Sequence, residues 1–142
     1  MDIDLFSKNL QAQIEAGVNG IVLAGTLGES SALTLEEKET LLKTTLDVAG
    51  SKLPIVLNIA EGATVEAVKQ AELADKWGAK GLMLLPPMRY KSDHRETVTY
   101  FKTVAEATDL PIMAGDRFTN ILYHSCRPDR LCGEDHVDEK DR

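Results

Sequence analysis

Aromatic side chains are scarce in this chain, 5% of its 142 residues, so its core has to be built from aliphatic ones. Alanine, leucine and valine predominate, as in parallel sheets covered by helices. Cysteine is nearly absent: Cys126 and Cys132, both near the C-terminus, do not make the disulfide framework of a small secreted protein. No apolar run approaches the ~18 residues of a membrane span. Met1-Asp2-Ile3-Asp4 lacks the basic start and apolar centre of a signal peptide. The net charge of −7 leaves no basic stripe to neutralise phosphates, which argues against nucleic acid as a partner. A cytoplasmic protein is expected, with neither a membrane nor a nucleic-acid partner. Two catalytic signatures are also missing, the Gly-x-Ser-x-Gly nucleophile elbow and the Gly-x-x-x-x-Gly-Lys phosphate loop.

What the chain does have is alternation. It is long enough for one domain with a real core. Four short apolar runs, 20–24, 55–59, 81–85 and 110–113, are apolar on both faces and predict buried strands. Amphipathic segments separate them and predict helices over 5–16, 35–49, 65–77 and 94–107. Phe6, Leu10 and Ile14 line the first helix, with Gly17 as its stop; Leu42, Leu46 and Ala49 line the second. Thr34 with Glu37 and Asp93 with Glu96 read as capping boxes, and Thr64 reads as the N-cap of the third helix, with Gly78 as its stop. Val98, Phe101 and Ala105 are the expected buried stripe of the fourth. A weak repeat runs through this order: Gly17-Val18-Asn19-Gly20 echoes Gly78-Ala79-Lys80-Gly81, and Leu53-Pro54-Ile55 echoes Leu110-Pro111-Ile112. Alternate βα units thus resemble each other, as in a (β/α)8 barrel. The pattern does not specify closure, so a doubly wound sheet stays open at this point.

From Ala114 onward no period of 2.0 or 3.6 persists, and 114–142 is expected to be an irregular, disordered tail. It contains His124, Cys126, Cys132 and His136, four residues of zinc-ligand type. The cysteine spacing is wider than in structural zinc sites, and Pro128 lies between them. Coincidence of composition is the preferred reading, with no metal expected. His94 is expected on the surface, and Met83, Met88 and Met113 as core filler.

The stretch Gly20-Ile21-Val22-Leu23-Ala24-Gly25-Thr26-Leu27-Gly28-Glu29-Ser30-Ser31 is the most informative. A strand empties into a glycine-rich loop, and a capped helix follows. Small anions are held in such strand–loop–helix units by backbone N–H groups and hydroxyls. A tight βα turn whose glycines only relieve strain is the competing reading. After the third strand, Pro86-Pro87-Met88-Arg89-Tyr90-Lys91 supplies an arginine able to grip a carboxylate in bidentate fashion and a tyrosine able to relay a proton. A rigid loop with a solvated basic cluster is the alternative. An imine-forming lysine would have to be desolvated at a strand end. Lys38, Lys43, Lys69, Lys76 and Lys102 fall on helices, Lys52 and Lys80 precede strands, and Lys91 lies on a loop, so none meets that requirement.

Gly25-Thr26-Leu27-Gly28-Glu29-Ser30, with Leu33 and Glu36–Glu37 after it, resembles the Gly-Thr-Thr-Gly-Glu segment of the dihydrodipicolinate synthase / N-acetylneuraminate lyase family. Gly17–Gly20, 79–87 and Thr108-Asp109-Leu110-Pro111-Ile112 support the match, which covers about 5–113. The resemblance implies an α/β fold, a partial (β/α)8 TIM barrel of roughly strands 2–5 with their helices. It also implies a class I aldolase-type lyase that works on pyruvate or another 2-oxo acid through a Schiff base, without a cofactor, and that self-associates. Gly25, Thr26, Leu27 and Gly28 would bind the substrate carboxylate, with Thr26 also a catalytic relay residue; Arg89 and Tyr90 would complete the substrate contacts. Leu27 replaces the family's second threonine, and Arg89 stands where a relay tyrosine is usual. Gly115-Asp116-Arg117 stands where the catalytic tyrosine ends the fifth strand. The first strand would precede Asp4, and the Schiff-base lysine would follow the last matching residue. The chain is therefore read as truncated and inactive, its segment after Met113 as the product of a reading-frame change or misassembled gene end. The alternatives are a self-associating half-barrel without catalysis and a small-anion binding module.

Overall fold

The computed structural model describes residues 1–25, 30, 32–50, 52–86 and 92–115, and the backbone of 122–123. Four helices alternate with the strands: α1 (Ile3–Glu15), β1 (Ile21–Leu23), α2 (Leu35–Ala49), β2 (Ile55–Ile59), α3 (Thr64–Trp77), β3 (Gly81–Leu84), α4 (His94–Ala105), β4 (Ile112–Gly115) and β5 (Leu122–Tyr123). The strands lie in the order β1-β2-β3-β4-β5. The first four are parallel, and β5 runs antiparallel along the outer edge of β4.

Register sorts the strand residues into two faces. Leu23, Leu57, Leu82 and Ile112 form one row across the sheet, with Ile21 and Ile55 below it and Ile59 and Leu84 above. All eight are buried and form one cluster with Leu10, Leu42, Ala67, Ala71, Ala74, Tyr100 and Val104 of the helices. The opposite face carries Val22 and Val56, then Asn58, Met83 and Met113. On that face Val22 is 47% exposed, while Val56, Met83 and Met113 are half-buried. The helices cover one face only, and the strand order is sequential. A doubly wound sheet carries helices on both faces and reverses its order; a barrel carries them on the outside alone. The architecture is that of a partial barrel.

The sequence repeat has a structural cause. Gly17 (φ 84°) and Gly78 (φ 96°) both adopt the left-handed conformation just after a helix, where a side chain would be strained. Three residues later, Gly20 and Gly81 lead into their strands against Pro54 and Pro111, and a Cβ at either position would meet the proline carbonyl at 3.2 Å. The next residues, Ile21 and Leu82, donate their N–H to those carbonyls at 3.0 and 2.9 Å.

Several expected boundaries move. The fourth strand is Ile112–Gly115, displaced from 110–113 because Pro111 has no N–H to give to a ladder; it continues through two residues of the segment assigned to the tail. The fourth helix stops at Ala105, where the Glu106 N–H bonds back to Lys102 and the Ala107 N–H to Val104. Its buried residues are Tyr100 and Val104, with Phe101 and Ala105 partly buried beside them. Val98 is exposed instead, one step around the helix from the expected stripe. Thr64 is the first residue of α3, whose N-cap is Ala63 with no side-chain cap. The boxes at Thr34/Glu37 and Asp93/Glu96 both form, and His94 is exposed.

Candidate active site

At the C-terminal end of β1 the backbone turns sharply. Ala24 takes φ 53°, the only non-glycine with positive φ among the described residues, at a cost on the order of 1–3 kcal/mol. The turn carries the Ala24 carbonyl off the ladder, which ends at the Leu23–Leu57 pair. A side chain takes over the bond: Asn58 Nδ2, fully buried, donates to the Ala24 oxygen at 2.8 Å. Asn58 Oδ1 is buried without a partner among the described residues. Gly25 follows at the strand exit, half-buried, and its carbonyl accepts the N–H of buried Ser30 at 3.4 Å. The other proposed site residues, Thr26, Leu27, Gly28, Arg89 and Tyr90, lie outside the described residues, as do His124, Cys126, Cys132 and His136.

On the far side of the 25–31 loop, α2 begins with its own anion partners. Thr34 Oγ1 accepts the Glu37 N–H at 3.2 Å, and Glu37 Oε2 accepts the Thr34 N–H at 2.9 Å. Glu36 sits in the same turn, its carboxyl held below the ordinary range by a backbone hydrogen bond and then by the Thr34 side chain. The positive end of this helix is thus already met by two carboxylates of the chain itself. The start of α2 therefore leaves little uncompensated dipole for a further anion.

Lys38 lies on α2, as its place in the sequence predicts, yet it is 2% exposed. Its ammonium donates to Glu61 Oε1 at 3.0 Å and to Gln70 Oε1 at 3.1 Å. Gln70 Nε2 donates to the same Glu61 oxygen. Glu61 lies two residues beyond β2, so the cluster ties α2 and α3 to the exit of that strand. Tyr100 is close enough to feel the Glu61 charge, and its hydroxyl is buried with no partner among the described residues. Burial, then the nearby Glu61 charge, raises its pKa well above the ordinary tyrosine value, so the hydroxyl stays neutral. A lysine at the fourth helical position with a glutamate two residues past a strand is a signal that only the βα topology turns into a contact. A separate cleft of about 280 Å³ opens between the first turns of α3 and α4, with Thr64, Arg95 and Tyr100 among its walls. Among the described residues no helix is long and apolar enough to cross a membrane.

Comparison with known proteins gives this arrangement its context. The sequence pattern of the Dihydrodipicolinate synthetase family matches residues 1–117. A 4-hydroxy-tetrahydrodipicolinate synthase of Persephonella marina is 37% identical over 113 residues, 80% of this chain and 39% of that protein. One of Exiguobacterium sibiricum is 34% identical over the same shares. The dihydrodipicolinate synthase of Thermotoga maritima superimposes with a TM-score of 0.78 at 29% identity, over 80% of this chain and 39% of that one. The chloride-inhibited dihydrodipicolinate synthase of Acinetobacter baumannii, solved in complex with pyruvate, gives 0.77 at 32% identity over the same shares. The chain spans about two-fifths of the length of these relatives. It belongs to the dihydrodipicolinate synthetase family.

Proposed function

We propose that the 25–31 loop binds the carboxylate of a 2-oxo acid of the pyruvate class, and that this chain does so without forming a Schiff base. The observation that carries this reading is the position of Gly25, at the exit of a parallel strand and ahead of a helix whose N-terminus is already capped. Backbone N–H groups at Gly25, Leu27 and Gly28 and the Thr26 hydroxyl are the donors of the reading, with Arg89 and Tyr90 as further contacts from the loop after β3. Leu27 contributes only its N–H, so affinity should be low. The binding is non-covalent in this reading: β4 runs Ile112-Met113-Ala114-Gly115 where the family resemblance places the catalytic tyrosine. The one deeply buried lysine among the described residues, Lys38, has its ammonium engaged by Glu61 and Gln70.

Pyruvate titration followed by NMR should perturb the Gly25 and Thr26 amides, and Thr26→Val should abolish the response. Borohydride added with pyruvate should leave the mass of the chain unchanged. A reduced adduct on any lysine would overturn the non-covalent reading.

A second reading, self-association, is favoured by the uncovered sheet face, where Val22 is 47% exposed beside half-buried Val56, Met83 and Met113. Sedimentation that returns a single monomeric species across a wide concentration range would sink it.

A further inference from the structure

Two buried polar contacts reach the flanks of the 25–31 loop, and both start from one short stretch of chain. Asn58, on β2, bonds the Ala24 carbonyl at 2.8 Å, at the residue whose positive φ opens the loop. Glu61, three residues further on, receives the Lys38 ammonium at 3.0 Å from the first turn of α2, which the loop leads into. Gln70 of α3 bonds both members of that pair. Neither tether is part of a strand ladder or of the intrahelical bonding, and neither is needed to cap α2, which Thr34 and Glu37 cap on their own. Asn58 is 0% and Lys38 2% exposed, while the Glu61 side chain keeps 26% of its surface in solvent. In that setting each bond is stronger than at the surface, and losing one partner strands the other.

We propose that Asn58 and Lys38 are positioning residues that together fix the two ends of the 25–31 loop to the exit of β2. Asn58 sets where the loop leaves the sheet, and Lys38, through Glu61, sets where it joins α2. Because both anchors belong to the 58–61 segment, a shift of α2 along the sheet, which would change the separation of the ends, has to break the Lys38–Glu61 contact. Such a fixed span suits a loop whose backbone N–H groups must converge on one small carboxylate. In that functional sense the inference rests on the carboxylate reading above.

Hydrogen–deuterium exchange of the full chain, without ligand, tests the tethers directly. Asn58→Leu keeps the volume and removes the donor; Lys38→Met keeps the length and removes the charge. Each should speed amide exchange over residues 24–34 by about tenfold, the factor expected for one lost buried hydrogen bond. Exchange at Leu82 and Leu84 of β3 should not change. Lys38→Arg should restore the wild-type rate, since it returns a cation to Glu61. If Asn58→Leu does not fold, Asn58→Ser, too short to reach Ala24, is read in its place. Unchanged exchange over 24–34, an equal acceleration throughout the core, or no rescue by Lys38→Arg would overturn the proposal. A wild-type chain that ignores pyruvate would instead sink the carboxylate reading and leave this exchange result standing.

Discussion

At the scale of single residues, Tyr100 is where burial and polarity conflict most openly. Its hydroxyl has no partner among the described residues, and its pKa is raised by burial and by Glu61. An unfolded tyrosine loses its proton near pH 10, whereas the folded one holds it to higher pH. The contribution of this group is therefore fully present below about pH 10 and is lost as the pH rises past it. Tyr100→Phe should flatten the fall in stability above that pH and leave stability at pH 7 unchanged or slightly higher, because an unpaired buried hydroxyl gives nothing back for its desolvation. Urea unfolding at several pH values checks both halves of the statement. The residue could not be singled out from the sequence. Tyr100 is one position from Phe101 and two from Val98, and a helical period alone allowed either pair to face the core. Lys38 was hidden for a related reason: a lysine in an amphipathic helix is solvated unless something specific neutralises it, and Glu61 is 23 residues away.

At the scale of elements, local chemistry was the legible part. Both capping boxes are complete in the sequence, Thr34 with Glu37 and Asp93 with Glu96, and both form. Thr34→Ala should lower stability by about 1 kcal/mol, measurable as a drop in the urea midpoint without a change in slope; Thr64→Ala should not, since Thr64 caps nothing at α3. Glycines after helices and prolines before strands were legible for the same reason, since each acts on its immediate neighbours. Misplaced boundaries arose where a ladder partner decides the outcome. Nothing local tells that Ala114 and Gly115 extend β4, because the bonds that make them strand come from β3 and β5. The candidate loop divides in the same way. Its glycines and Thr26 are visible in the sequence, while Asn58, which holds its start, belongs to the next strand and reads there as one polar residue in an apolar run.

At the scale of the whole molecule, the two faces of the sheet should respond differently to mutation. Leu57 is fully buried under the helices, and Leu57→Ala should cost about 2–5 kcal/mol. Val22, one position from the register partner of Leu57, faces the other way and is 47% exposed; Val22→Thr should change monomer stability by no more than about 0.5 kcal/mol. Thermal unfolding at low concentration would show the contrast, and a large loss at Val22 would mean that this face is covered in solution. Alternation of this kind was not visible beforehand, because the strands are apolar on both sides. The choice between a barrel and a doubly wound sheet therefore waited on which side the helices took.

The short β5 ribbon alters what this asymmetry permits. A sheet with two bare margins can add copies at either one and grow into a fibre. Here the β4 margin is occupied by a strand of opposite direction, so the two outer strands among those described are β1 and the two-residue β5. Pairing through β1 uses the same margin on both molecules and consumes it. A pair joined through β1 carries a β5 strand at each outer margin, so the β5 ribbon, two residues long and opposite in direction, is the edge such a pair would present.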